Sequence, residues 1–237
     1  FVLSDVYISV LEALKYSAYK LGTKAEITYL SSLDFETGKK SLKDLDAFDG
    51  ILVPGGFGKT GIEGKLKVIE YARTKKIPYF GICYGMQLAV LEYARNVLKL
   101  GSVSTEEIDP KAAHLVIGIM PEQREKLAKH DMGGTMRLGE YEAVVKKGTQ
   151  AYAAYKSATV TERHRHRYEV NPEYVDDLEA AGLVFGATSP DGRLMEMVEL
   201  PKSVHPFFLG TQFHPELTAR PLAPHPVFTA FIKAAMK

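Results

Sequence analysis

Ile77-Pro-Tyr-Phe-Gly-Ile-Cys83-Tyr-Gly85 decides how the rest of this chain is read. The apolar run from Ile77 to Cys83 suits a strand buried on both faces. The residues after it, 85–98, repeat apolar side chains at helical spacing and predict a helix. A lone cysteine therefore stands at a strand-to-helix corner, with Gly81 and Gly85 two residues to either side. Upstream, Asp49-Gly-Ile-Leu-Val-Pro-Gly-Gly56 has the same character, a short buried strand running into a tight glycine turn. Between these two, residues 64–74 read as helix; before them, residues 5–20 read as helix and 25–30 as strand. Alternating strand and helix predicts a parallel sheet with helices on both faces.

The second half changes pattern. Residues 114–120, 135–145, 163–170, 183–188 and 194–200 read as strands, and Ser189-Pro-Asp-Gly192 as a turn joining two of them. Asn171-Pro172 suits the N-cap and first turn of a helix that ends near Gly182. Residues 207–213 make a last apolar strand and 226–236 a closing helix. The expected fold class is α/β: a mostly parallel central sheet flanked by helices on both faces, with additional antiparallel strands in the second half. One domain over residues 1–237 is expected, since 46% hydrophobic content suffices for one sizeable core.

Charge narrows the function. Lys and Arg total 30 against 29 Asp and Glu, which gives no general attraction to nucleic acid or to an anionic membrane. With one cysteine there is no internal disulfide and no thiolate zinc cluster. No apolar run reaches the roughly 20 residues of a membrane span, and no basic-then-apolar leader is present. The expectation is a cytoplasmic protein.

Three pieces carry chemistry: Gly55-Gly56-Phe57-Gly58, Gly81-Ile-Cys83-Tyr-Gly85 and His214-Pro-Glu216. Cys83 fits a nucleophile elbow with sulfur in place of a hydroxyl. Glycines two residues away admit the tight turn, and the helix start behind it offers free N–H groups and a positive dipole end that favour thiolate. His214 and Glu216 lie just past the last strand, where residues i and i+2 of extended chain point the same way. Glu216 can then orient His214, which takes the Cys83 proton. If neutral His214 is the base, hydrolysis falls in acid. The Gly56 and Tyr84 N–H groups are the expected oxyanion donors. His205, His225 and His130 lack a comparable partner and read as surface or packing residues.

These pieces, in this order, resemble the class I glutamine amidotransferases. Gly133-Gly-Thr-Met-Arg-Leu-Gly139, Glu162-Arg-His-Arg-His-Arg-Tyr-Glu-Val-Asn171 and Gln212-Phe-His-Pro-Glu216 narrow the likeness to the glutaminase domains of CTP synthases, over almost the whole chain. The resemblance implies that L-glutamine is hydrolysed through a γ-glutamyl thioester. Cys83 would be nucleophile, His214 general base and Glu216 its partner. Gly56, Tyr84, Gln87, Glu106 and Arg167 would contact the substrate, Glu106 holding its amine and Arg167 its carboxylate. The domain itself needs no cofactor or metal. ATP and Mg2+ are implied for a synthetase (amidoligase) domain absent from this chain, which would aminate UTP, and GTP as an allosteric activator. A homo-oligomer is implied for the full-length enzyme. Two departures stand out: Tyr84 occupies a position where the family usually has leucine, and Lys59-Thr60-Gly61 replaces a segment with arginine before glycine. The alternatives are another synthetase's amidotransferase subunit, a γ-glutamyl hydrolase, or a non-catalytic regulatory module. Alternation puts Arg163, Arg165 and Arg167 on one face of their strand and His164 and His166 on the other, where a metal pair would lack a third ligand. Residues 133–139 carry no function from sequence alone.

Overall fold

The computed structural model describes residues 4–119 and 136–236. Helix α1 (Ile8–Lys20) buries Val10, Ala13, Leu14, Ser17 and Ala18, spaced three and four apart so that they share one face. A short helix α2 (Ser32–Glu36) follows. Strand and helix then alternate as expected: β1 (Ile51–Val53), α3 (Ile62–Lys75), β2 (Tyr79–Ile82) and α4 (Tyr84–Asn96). The chain continues through β3 (Val103–Thr105), β4 (His114–Ile119), β5 (Arg137–Val145), α5 (Gln150–Tyr155), β6 (Thr159–His166) and β7 (Tyr168–Val170). It closes with α6 (Val175–Ala180), β8 (Val184–Thr188), β9 (Met195–Glu199), β10 (Phe208–Thr211) and α7 (Pro226–Ala235).

The main sheet has the order β1-β2-β10-β9-β8-β5-β6. β2 lies between β1 and β10, parallel to both, and the strands from β9 to β6 add on antiparallel. Successive β2 and β10 side chains feed opposite layers, as the pleat requires. Tyr79 and Phe208 pack with Ile69, Leu88 and Leu91 on one face. Phe80, Ile82 and Leu209 pack with Leu14, Phe228 and Phe231 on the other. Helix α4 is buried from Tyr84 to Ala94, because it lies between the main sheet and a smaller sheet ordered β3-β4-β7.

Three readings of the sequence need correction. Residues 25–30 alternate in exposure but pair with no strand among the described residues. A cavity of about 180 Å³, lined in part by Thr28, Leu30, Ile51, Leu52 and Val53, separates them from β1. Alternation alone does not make a strand where no ladder partner is in reach. Residues 163–170 are not one strand: β6 ends at His166 in the main sheet, and β7 pairs with β4 in the smaller one, with Arg167 at the bend between them. The last apolar strand is confined to Phe208–Thr211, so the segment to Phe213 leaves the sheet early. Expected strand ends at Met120 and Thr135, with Gly133 and Gly134, lie outside the described residues.

Candidate active site

Cys83 follows β2 directly and caps α4 with φ 49° and ψ −97°, a conformation that L-residues avoid. The strain sits on the cysteine itself. Gly81 and Gly85 have ordinary φ and are needed for a different reason, close approach. A Cβ on Gly85 would lie 2.2 Å from the Val53 carbonyl oxygen, and one on Gly81 2.6 Å from the Gly85 carbonyl carbon. The corner is locked by the Cys83 N–H donating to the Thr211 oxygen at 2.6 Å. Cys83 is 5% exposed.

The third strand of the parallel group delivers the base. Past β10 the His214 N–H donates to the Arg163 oxygen of β6 at 2.8 Å, which fixes where the imidazole starts. His214 Nδ1 and Glu216 Oε1 are 2.7 Å apart. Glu216 lies in the middle of a single 3-10 turn (Pro215–Leu217), so the contact is made by a tightening turn, where extended chain was expected. Burial would push the His214 pKa down, but hydrogen bonds to Cys83 and Glu216 outweigh it and hold the value up at about 10. His214 is therefore an imidazolium at neutral pH, facing the sulfur on one side and a carboxylate on the other. The Gly55-Gly56 turn closes this group: a Cβ on Gly55 would meet His214 Cε1 at 2.7 Å, and one on Gly56 would sit 3.7 Å from the Tyr84 ring.

Gln87 donates from Nε2 to the Tyr168 oxygen at 3.0 Å and to Gln212 Oε1 at 3.2 Å. Glu106 Oε2 accepts from the Ile119 N–H at 2.8 Å. The Tyr168 hydroxyl is raised by burial first, then by Glu107, while Arg167 lowers it and Glu106 raises it. Sequence reasoning missed Gln212. Fully buried, it donates from Nε2 toward the Cys83 sulfur at 3.7 Å. Its position two residues before His214 was the available signal.

Behind the catalytic loop lies a buried polar cluster. Arg137 reaches Glu196 at 2.6 Å and Glu169 at 3.9 Å, and stacks over the Tyr141 ring. His164 Nδ1 and His166 Nε2 are 2.8 Å apart, and the His164 ring packs edge-on against Phe213. Burial, then Arg137, pushes His164 down to about 3; burial, then His164, pushes His166 well down. Burial also raises Glu196 to about 6 and Glu169 well above its usual range. Arg137 is thus linked to the two histidines through Glu196 and Glu169. The reading of His225 as lacking a partner is corrected: His225 Nε2 and Glu162 Oε1 are 2.7 Å apart, and the Tyr155 hydroxyl donates to the same oxygen. His205 is a packing residue, bonded to the Ala72 oxygen and the Phe207 N–H. His130 lies outside the described residues.

A cysteine elbow, a histidine–glutamate pair and a glycine turn at one point match a known family over residues 2–234, described as glutamine amidotransferase class-I. The chain belongs to the class-I glutamine amidotransferases. Within this family it is 50% identical to a CTP synthase of Archaeoglobus fulgidus over 98% of the chain, and 51% identical to one of Sulfurisphaera tokodaii over 98%. It spans 42% and 43% of those two proteins, so it corresponds to a part of them. The glutaminase domain of Trypanosoma brucei CTPS, solved with acivicin bound, superposes with a TM-score of 0.90 at 39% identity, over 98% of this chain and 88% of that one. A putative GMP synthase subunit of Thermoplasma acidophilum shares the amidotransferase fold at 16% identity and a TM-score of 0.58. This amidotransferase is therefore a glutaminase domain of the CTP-synthase type.

Proposed function

We propose that Cys83, His214 and Glu216 hydrolyse L-glutamine to glutamate and ammonia. With His214 already holding the proton, the Cys83 sulfur attacks the side-chain amide carbon as a thiolate. The carbonyl oxygen becomes an oxyanion, met by the Gly56 and Tyr84 N–H groups. His214 gives its proton to the departing nitrogen, the C–N bond breaks, ammonia leaves and a γ-glutamyl thioester remains. Water then loses a proton to His214 and attacks the thioester carbon; the C–S bond breaks and Cys83 is restored as thiolate. Glu216 stabilises each imidazolium through its 2.7 Å contact. Glu106 receives the substrate amine and Arg167 its carboxylate, with Gln87 and Gln212 shaping the wall. The ammonia serves an amidoligase partner that aminates UTP to CTP with ATP and Mg2+, in a homo-oligomeric enzyme.

The observation that carries this reading is the His214 imidazole held between the Cys83 sulfur and Glu216 at a strained strand-to-helix corner. Cys83→Ala is expected to cut glutamine hydrolysis to below about a thousandth and to abolish covalent labelling by a glutamine-derived chloroketone. A variant that still turns over glutamine at the wild-type rate would refute the assignment.

A further inference from the structure

The loop that carries the Gly56 donor is held in an unusual way. No residue from 54 to 60 is buried, and Phe57 is 90% exposed. The loop therefore gains nothing from hydrophobic burial, and a glycine-rich segment left to itself spreads over many backbone states. One residue in it is gripped at both of its main-chain groups. The Tyr84 hydroxyl donates to the Gly58 oxygen at 2.5 Å, and the Gly58 N–H donates to Glu107 Oε1 at 2.8 Å. The two grips come from different elements: Tyr84 is the first residue of α4, and Glu107 follows β3. Gly58 has φ +84°, a left-handed conformation that the grips hold in place.

We propose that Tyr84 and Glu107 are positioning residues that clamp the main chain on both sides of Gly58 and so hold the Gly56 N–H on the oxyanion. This rests on the glutaminase reading and deepens it. Tyr84 has two separate tasks. Its main-chain N–H is one donor to the oxyanion, and its side chain fixes the loop that supplies the other. Since Tyr84 adjoins Cys83 in the chain, both donors are referenced to the nucleophile through one buried residue, 2% exposed. Such an arrangement costs no reorganisation when the oxyanion forms. Without the clamp, the Gly56 donor is in register only part of the time, and the loss appears in the chemical step with little effect on binding.

The test uses the full-length protein and two readouts. Tyr84→Phe keeps the ring and its packing and removes only the hydroxyl. It is expected to lower kcat for glutamine hydrolysis about 5- to 50-fold with KM within about twofold. Glu107→Ala is expected to do the same, while Glu107→Gln, whose amide oxygen still accepts from the Gly58 N–H, recovers most of the rate. The second readout is amide hydrogen exchange over residues 55–61, which is expected to quicken about tenfold or more in Tyr84→Phe and Glu107→Ala. Unchanged exchange in either variant overturns the clamp. So does a kcat within twofold of wild type while exchange quickens, since the loop would then be mobile without consequence for catalysis. A wild-type protein that hydrolyses no glutamine refutes the glutaminase reading, and quickened exchange would still show the clamp as a property of the loop.

Discussion

At the scale of single residues, His214 sets the pH response. Its pKa of about 10 keeps it protonated through neutrality, so the proton needed by the departing ammonia is already in place. On the alkaline side, activity is expected to decline as pH rises through about 10, where His214 loses its proton. Glu216→Gln removes one of the two hydrogen-bonded supports of the charged ring and is expected to move that alkaline midpoint downward. A pH profile of kcat/KM for both forms measures this, and an alkaline midpoint left unmoved by the substitution would contradict it. The triad was legible in the sequence because its signals are local: glycines two residues from Cys83, and a carboxylate two residues from His214. Gln212 and the side-chain role of Tyr84 were not, because each acts on a partner that only the tertiary fold brings near. Gln212 lies 129 residues from the sulfur that it faces.

At the scale of elements, strand β6 was read correctly in its alternation and not in its content. Arg163 and Arg165 are exposed while His164 and His166 are buried, as period two requires. What the buried face meets, Arg137, Glu169 and Glu196, comes from β5, β7 and β9, and no spacing rule announces it. The same limit explains residues 25–30, whose pattern is that of a strand but whose ladder partner is lacking among the described residues, and β3, three residues long and too short to show a period. The cluster has a consequence for stability. His164 and His166 stay neutral when folded, while the unfolded chain takes up their protons near pH 6.5. Stability is therefore lost as pH falls below about 6.5, at up to ~1.4 kcal/mol per unit for each histidine. Glu169 and Glu196 act in the opposite sense, because their raised values retain protons that the unfolded chain releases above about 4.5. Substituting one histidine isolates its share. His166→Gln is expected to shrink the difference in unfolding free energy between pH 6.5 and pH 5 by ~2 kcal/mol, read from urea titrations at both values. An unchanged difference would show that His166 is not held neutral in the folded protein.

At the scale of the molecule, the parallel group β1, β2 and β10 presents its strand ends, Cys83 and the Gly55-Gly56 turn together, which is where an α/β sheet places its site. The antiparallel extension through β9, β8, β5 and β6 returns to the same end, so that β6 supplies the carbonyl that seats His214. The cysteine site is thus gathered at one rim of the sheet, and the chain corresponds to only part of its CTP synthase relatives. That division, with the chain spanning 42% of a CTP synthase, leads to a prediction about nitrogen. Joined to an amidoligase partner with ATP, Mg2+ and UTP, the protein is expected to transfer label from amide-15N glutamine to the amino group of CTP, whereas this domain by itself releases it as free ammonia. Cys83→Ala is expected to abolish CTP formation from glutamine and to leave formation from added ammonia intact, because the acceptor chemistry lies outside this chain. Should the wild type consume glutamine while the label never enters nucleotide, the ammonia serves some other acceptor and the assignment of the partner fails. Should Cys83→Ala also lose the ammonia-supported reaction, the domain does more than supply nitrogen, and its contact with the partner would have to be counted as part of the synthetic site.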